Sequence, residues 1–326
     1  MNNSTAADIT KSWTFVPIMD TLILVAALLF NGGLLILFIV NRNLHTPFSV
    51  YLFNLILMTF IYIATQGPIN ILYSLYSKWW MGDALCTFLF YTIFPSSVAT
   101  VHAHLLITVN RLWAITRPVS YKKYHNTAVA IRLCICMFLY CHVLPLYGVV
   151  MDGLYYKIPT STGQCLINMS ALWAWATATE LLNYNFPIIF MVGCNAFLLY
   201  RRKKRFNARI TTTTANTNTK TMSSHPENNS SNMPTMDMKK PPKEPKRTLV
   251  LLVCLTLSVV ICWTPGVSFF TIQLVFNVEL PYVWLQIGAM MFSAQSVVDP
   301  IVLALSFKDV RETIVWVVKS FRKKVL

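Results

Sequence analysis

Charged residues are scarce in this chain, and acidic residues are scarcer than basic ones. Only 12% of the 326 residues carry a charge, with 12 Asp and Glu against 27 Lys and Arg, whereas about 25% is usual for soluble domains. Hydrophobic residues make up 55% of the chain. This composition excludes an ordinary soluble domain, and membrane-spanning segments have to be considered first.

Seven stretches lack Asp, Glu, Lys and Arg altogether. Each has at least 19 residues: 21–41, 46–77, 84–110, 133–151, 181–200, 248–278 and 280–298. A helix of this length crosses a hydrocarbon core of about 30 Å. The sequence therefore predicts an all-α membrane protein, in which residues 1–16 precede a seven-transmembrane helix bundle over residues 17–306.

The basic residues are distributed unevenly between the two ends of these spans. If the N-terminus is outside, the inner segments hold 24 of the 27 Lys and Arg, and the outer segments hold only Lys11, Lys78 and Lys157. The positive-inside rule favours this orientation. We expect a multi-pass plasma-membrane protein with an extracellular N-terminus, whose first span is its own signal anchor. The basic charge indicates contact with anionic membrane lipids rather than nucleic acid.

Two inner segments differ from the spans. Residues 207–243 are rich in Thr, Asn, Ser and Pro, a composition typical of disorder. Residues 307–326 place their apolar residues at helical spacing with charges between them, which predicts a short amphipathic helix on the inner leaflet. Those apolar residues are Phe307, Val310, Ile314, Val317, Val318 and Phe321.

Several function classes lack their signatures. The sequence shows no metal-ligand spacing, no cofactor motif and no nucleophile–base pair, so neither an enzyme nor a metal site is expected. A transporter or channel has little support, since there are no repeated halves. Glycosylation sequons stand on the predicted outer side at Asn2, Asn3 and Asn168. Cys86 and Cys165 also face the oxidising side, which favours a disulfide between them.

Specific residues then recur in a recognisable order along the spans. They are Asn31, Trp79 and Gly82 before Cys86, Arg111, Pro187, the Cys-Trp-Thr-Pro run at 262–265, and Asp299-Pro300. In this order they resemble the rhodopsin-like (class A) G protein-coupled receptors. The resemblance implies a receptor that passes an extracellular signal to heterotrimeric G proteins through Arg111, with Trp263 and Pro265 as switch residues.

The chain departs from the family pattern where that family holds its switch at rest. The acid before Arg111 is the neutral Asn110, and Leu112 stands in place of a tyrosine. An amide restrains a guanidinium less firmly than a carboxylate does, so we expect high basal activity. Glu244 is an alternative partner for Arg111.

The central polar residues depart from the pattern as well. The acid that binds sodium in the family aligns with Thr59, and an acid appears instead at Asp299, before the Pro300 hinge. The tyrosines used in activation are replaced by Asn195 and Leu303. His104 lies in phase with Arg111 at the expected depth of Asp299. The two either interact across the bundle, in a pH-responsive switch, or His104 is a packing residue.

The resemblance also implies a ligand pocket between the outer halves of the spans. Its matching positions are Ile93, Phe94, Ser97, Glu180, Asn183, Tyr184, Trp263, Val267, Phe270 and Ala289. Ile93 replaces the aspartate of amine receptors, and Ser293 replaces the lysine of opsins, so neither a conventional amine site nor covalent retinal is expected. Glu180 either pairs with a cationic group of the ligand or is solvated at the outer rim.

Two functions follow from these departures. The first is an agonist-activated receptor that couples to G proteins and has high basal activity. The second is a decoy, scavenger or partner protein with the same fold that does not couple, which the changes at Asn110, Leu112, Asn195 and Leu303 favour.

Overall fold

The chain forms a bundle of long helices in a computed structural model, which describes residues 9–221, 246–278, 280–306, 310–312 and 315. The α-helices are α1 (Phe15–Val40), α2 (Pro47–Leu75), α3 (Gly82–Thr116), α4 (Pro118–Tyr124), α5 (Thr127–Met151), α6 (Trp173–Glu180), α7 (Phe186–Thr221), α8 (Lys246–Phe276) and α9 (Tyr282–Ser306). Two π-helical turns, Asp152–Tyr156 and Leu181–Asn185, extend α5 and join α6 to α7. Seven of the described helical stretches are long and apolar enough to cross a membrane, which confirms the predicted fold class.

The inner end of the bundle is the end flanked by most of the Lys and Arg. Two spans begin there at residues whose side chains cap the helix. Thr46 caps α2, since its side chain accepts from the backbone N–H of Ser49 at 3.2 Å, and Pro47 occupies the first turn. Asn126 caps α5 in the same way by accepting from Val129 at 3.0 Å. These caps fix where the connecting loops end.

Polar and apolar side chains are arranged as expected for a protein in lipid. Large apolar residues on the outer surface are exposed, among them Leu29, Val143 and Ile189. The interior combines an apolar core around Leu55 and Trp263 with a set of buried polar side chains. Lipid accepts the apolar exterior, and the buried polar groups need partners within the bundle.

The inner end of α7 differs from the prediction of disorder over residues 207–243. The helix continues to Thr221, because adding a residue to an existing helix requires far less ordering than starting one. The rest of the predicted linker and Glu244, which follows it, lie outside the described residues. Most of the predicted amphipathic helix also lies outside them, although residues 310–312 and 315 are helical and Val310 is buried against the core.

At the outer end, Cys86 and Cys165 form the predicted disulfide. It attaches the loop before α6 to the start of α3. A glycine is needed beside it, since Gly163 has φ +80° and lies against the side chain of Lys78. The Gly163 carbonyl accepts from the backbone N–H of Trp79 at 2.8 Å. The loop is thereby held over the outer ends of α2 and α3.

Candidate functional site

A polar network occupies the centre of the bundle. Asp299 is 1% exposed, and its Oδ2 lies 2.9 Å from Nε2 of His104, so of the two alternatives that the sequence left open the structure has the contact across the bundle. Ser258 donates to the other carboxyl oxygen at 2.8 Å. Gln295 places its amide nitrogen 3.0 Å from the same His104 nitrogen, and its carbonyl accepts from the indole N–H of Trp263. The network therefore links α3, α8 and α9.

Donor and acceptor rules fix one end of this network. An indole N–H can only donate, so Gln295 turns its carbonyl to Trp263 and its NH₂ group to His104. The His104 Nε2 atom thus lies within hydrogen-bond distance of two groups, the Gln295 NH₂ at 3.0 Å and the Asp299 carboxyl at 2.9 Å. One ring nitrogen makes one full hydrogen bond, and its contact with Asp299 holds a proton between the ring and the carboxyl group.

The second span stays outside this network. Thr59 is buried, and its hydroxyl has no hydrogen-bond partner among the described residues. Asn31 instead ties α1 to α9, because its amide donates to the carbonyl of Ser296 at 2.7 Å. The central acid is therefore held from α3 and α8.

The floor of the predicted outer pocket adjoins the network. The hydroxyls of Ser97 and Tyr184 lie 2.7 Å apart, and the Tyr184 ring stacks on Trp263 at 5.9 Å between centroids. Phe292 packs on Trp263 at 4.5 Å. Trp263 thus touches the predicted pocket and, through Gln295, the central polar network.

The remaining pocket positions are more scattered. Phe94 meets Trp175 edge-on at 5.6 Å, and Ile93 packs against the cluster around the disulfide. Val267 is buried in the main core. Phe270 packs edge-on against its neighbour Phe269, whereas Ala289 is exposed.

The π-helical turn between α6 and α7 directs three predicted ligand residues to different neighbours. Glu180 accepts from the Thr271 hydroxyl at 3.2 Å and from Asn185 at 3.4 Å. Asn183 accepts from the Tyr140 hydroxyl in α5 at 2.8 Å, while Tyr184 faces Ser97. The extra residue in a π turn changes the phase of the helix, so a single face at regular α spacing is not formed.

The described hydrogen-bond partners of Glu180 are neutral, so its carboxyl group suits a cationic partner. The side chain is only 6% exposed, and the two described ion pairs involve other residues. Its hydrogen-bond donors are the neutral Thr271 and Asn185. A buried carboxyl group with neutral partners must either keep a proton or receive a positive charge.

The inner end of α3 carries the predicted coupling residues. The guanidinium of Arg111 lies 3.2 Å from the centroid of the Phe48 ring in α2, a close cation–π contact. Asn110 is 3% exposed and contacts Tyr121 and His125 in the following loop. Leu112 lines a cavity of about 440 Å³ between α3 and α7. Neither of the two loop contacts was predicted from the sequence.

Burial lowers the pKa of His125 from its ordinary value, and the nearby Arg111 charge lowers it further. The imidazole is therefore uncharged at neutral pH. A neutral imidazole has one nitrogen that accepts a hydrogen bond, which is compatible with its contact to the Asn110 amide.

Asn195 and Leu303, which stand where the family pattern has tyrosines, are also buried in the inner half of the bundle. Asn195 in α7 donates to the Thr256 hydroxyl in α8 at 2.5 Å, so it joins the fifth and sixth spans. Leu303 is 1% exposed and packs in the core. Pro265 and Pro300 lie inside α8 and α9.

One predicted glycosylation site has a defined local structure. Asn168 donates to the carbonyl of Tyr156 at 3.2 Å and accepts from the backbone of Ala171 at 3.0 Å. Its modification stays a prediction. Asn2 and Asn3 lie outside the described residues.

A comparison with known protein families matches most of the chain. A family profile described as "7 transmembrane receptor (rhodopsin family)" matches residues 30–303. The histamine H1 receptor of Homo sapiens is 33% identical over 113 residues, which are 34% of this chain and 23% of that protein. Melanopsin of Podarcis siculus is 31% identical over 123 residues, 36% of this chain and 26% of that protein. Proteinase-activated receptor 2 of Homo sapiens is 28% identical over 137 residues, 41% of this chain and 34% of that protein. The matched part thus spans about a quarter to a third of these relatives.

Proposed function

The chain belongs to the rhodopsin family of seven-transmembrane receptors, and from that premise we propose that it is a cell-surface receptor that signals through heterotrimeric G proteins. Its N-terminus is extracellular in this proposal. The single observation that supports it most is Arg111, which the chain keeps at the inner end of α3 beside Phe48 and the following loop. In this proposal that cation contacts the cytosolic partner.

The ligand in this proposal carries a cationic group that pairs with Glu180. The printed name of one relative is that of a histamine receptor, but in this chain Ile93 offers no acid. Glu180 is buried, and its hydrogen-bond donors among the described residues are the neutral Thr271 and Asn185. Ser293 provides no amine for a Schiff base, so covalent retinal is excluded from the proposal even though another relative is named melanopsin.

The switch in this proposal is a proton rather than a bound metal cation. At rest, in this proposal, Trp263 holds the Gln295 amide beside His104, and Asp299 keeps the proton in its contact with His104. A ligand that moves Trp263 frees Gln295 to present its carbonyl to His104. The proton is then favoured on His104, and Asp299 becomes a carboxylate. The pocket floor is thereby coupled to the hinge at Pro300.

The proposal is tested by basal and ligand-stimulated G-protein activation in cells that express the full chain at matched surface levels. We expect basal signal above that of empty cells, and its loss in Arg111→Ala. Arg132→Ala is the matched control, because Arg132 is an exposed arginine on α5 whose hydrogen bond among the described residues is to Ala128 of its own helix.

The opposite result identifies the second function. If the wild-type chain shows no activation of any G-protein class, with or without a panel of cationic ligands, it is a decoy, scavenger or partner protein. The replacements at Asn195 and Leu303 then account for the silence, because they remove the two activation tyrosines of the family pattern.

A further inference from the structure

A cavity of about 440 Å³ lies between the inner halves of α3 and α7, and we call it the inner groove. Leu112 and Thr116 line it from α3. The lining positions of α7 follow each other at intervals of three and four residues, so they form one face of that helix; they are Phe190, Gly193, Cys194 and Phe197. The volume falls within the range of about 300–1,000 Å³ that is usual for ligand sites.

The lining of the inner groove is apolar, and no charged residue is among its described members. The one hydroxyl group, on Thr116, already donates to the Leu112 carbonyl of its own helix at 2.7 Å. Cys194 is a buried free cysteine. A polar molecule would lose its hydrogen bonds to water here without replacement. An alkyl chain has none to lose, so the inner groove suits an alkyl chain.

The inner groove is open on the side that faces the membrane. Phe197 is 43% exposed, and Gly193 is exposed as well. A Cβ added at Gly193 would meet no atom within 4 Å, so the glycine leaves space where another residue would place a side chain. Exposed apolar residues within a membrane span contact lipid. An acyl chain of the bilayer therefore reaches the inner groove from the side.

An arginine stands at the inner end of this groove. Arg201 comes four residues after Phe197, hence on the same face of α7. Its guanidinium carbon lies 5.4 Å from the centroid of the Phe197 ring, a cation–π contact. The two ion pairs among the described residues involve other side chains. Arg117 is a second, exposed cation, one residue after Thr116 at the end of α3.

The groove and the arginine act on different parts of a lipid. Lipid tails are as apolar as the lining, so an acyl chain gains packing contacts in the groove but no hydrophobic transfer energy. The groove alone consequently does not distinguish between lipid classes. A nearby Arg does, because it raises the affinity for an anionic headgroup by about 5-fold.

We propose that the inner groove binds one anionic phospholipid, with an acyl chain between α3 and α7 and the phosphate group beside Arg201. Gly193 provides the space for the chain, and Arg201 selects the headgroup. The assignment to the inner leaflet rests on the orientation in the proposed function. The binding itself depends neither on that orientation nor on coupling to a G protein.

Native mass spectrometry of the purified full-length chain, released from detergent, tests the site with defined lipids. The probes are dioleoyl phosphatidylserine and dioleoyl phosphatidylcholine, which share their acyl chains and differ in headgroup charge. The readout is the dissociation constant of the first lipid adduct. We expect the wild-type chain to bind phosphatidylserine at least about 5-fold more tightly than phosphatidylcholine.

Two variants remove the two determinants separately. Arg201→Ala should weaken phosphatidylserine binding about 5-fold and leave phosphatidylcholine binding unchanged. Gly193→Phe places a ring in the groove and should abolish the preference for phosphatidylserine. Arg202→Ala is the matched control for the charge, since Arg202 is the exposed neighbouring arginine. Gly33→Phe is the control for the ring, because Gly33 on α1 is exposed and no atom lies within 4 Å of its added Cβ.

Equal binding of the two lipids by the wild-type chain would overturn the proposal, as would losses in the two control variants that match those in Arg201→Ala and Gly193→Phe. Oleate is the competing probe, since it joins one alkyl chain to a carboxylate. If oleate displaces phosphatidylserine at equal concentration, the site takes free fatty acids and the assignment to a phospholipid is wrong.

Thermal unfolding of each variant separates loss of binding from loss of fold. If Gly193→Phe unfolds at a lower temperature than the wild type, Gly193→Val replaces it, with Gly33→Val as its control. G-protein activation is measured on the same preparations. A chain that binds phosphatidylserine in the inner groove and activates no G protein refutes the proposed function and leaves the lipid site intact, so the two failures are distinguishable.

Discussion

Replacement of Asp299 tests whether the central acid is protonated. Asp299→Asn preserves the shape of a protonated carboxyl group. Its amide donates to His104 Nε2, and its carbonyl accepts from Ser258, in the places of the present contacts at 2.9 and 2.8 Å. If the acid is neutral at rest, this substitution exchanges one neutral donor for another. The cost to the free energy of unfolding should then stay below about 1 kcal/mol.

The matched variant Asp299→Ala removes both hydrogen bonds, although Ser258 keeps its contact with the Leu255 carbonyl and His104 keeps its contact with Gln295. Each lost hydrogen bond costs roughly 0.5–1.5 kcal/mol net, so the total is about 1–3 kcal/mol. For a chain of this size, roughly 2 °C of melting temperature corresponds to each kcal/mol. We therefore expect Tm to fall by about 2–6 °C in Asp299→Ala and by less in Asp299→Asn.

The assay is thermal unfolding in detergent or nanodiscs, followed by reaction of a fluorescent thiol probe with the buried cysteines, such as Cys141 and Cys194. Ser258→Ala calibrates the loss of one hydrogen bond. If Asp299→Asn falls as far as Asp299→Ala, the acid is ionised and paired with a charged His104, since breaking such a pair costs roughly 3–5 kcal/mol. That result would refute the assignment of the proton and the switch built on it.

Two further predictions concern the outer half of the bundle. Glu180→Gln should lower the potency of cationic agonists at least about 10-fold, equivalent to about 1.4 kcal/mol, at normal surface expression. The potency of neutral ligands should stay as in the wild type. Unchanged potency of cationic agonists would contradict the ligand assignment. Gly148→Ala should lower Tm by several degrees, because an added Cβ would meet the ring of Trp175 and overpacking costs about 1–3 kcal/mol. Gly193→Ala is its control, since no atom lies within 4 Å of that added Cβ, and a similar loss in both variants would refute the packing argument.

The fold could be predicted from the sequence because its signals are local. Runs without charge give the spans, and proline and capping residues such as Asn126 mark their limits. The disulfide between Cys86 and Cys165 followed from the side of the membrane that both occupy. The helical segment up to Thr221 was not predicted, since its composition favours disorder and only its continuity with a span makes it helical.

The candidate site could be predicted in part. His104 and Asp299 were paired by depth and helical phase, and Gln295 could have been added because it lies four residues before Asp299 on the same face of α9. Ser258 could not, since no local pattern relates α8 to the acid. The partners of Glu180 were missed because the π turn at Leu181–Asn185 changes the phase, and a sequence pattern at 3.6 residues per turn does not contain that change.

The chain carries a neutral residue at the inner end of α3 and an acid at the centre of α9, and the structure gives the two changes different consequences. Asn110 gains contacts in the loop that a carboxylate makes only with a suitably protonated imidazole. Asp299 gains a histidine partner and a place in a network that reaches Trp263. Loss of the charge beside Arg111 therefore does not leave the inner end of α3 without restraint. We infer that the basal activity expected from Asn110 alone is limited by two other contacts, the cation–π contact of Arg111 with Phe48 and the hydrogen bond that joins the fifth and sixth spans.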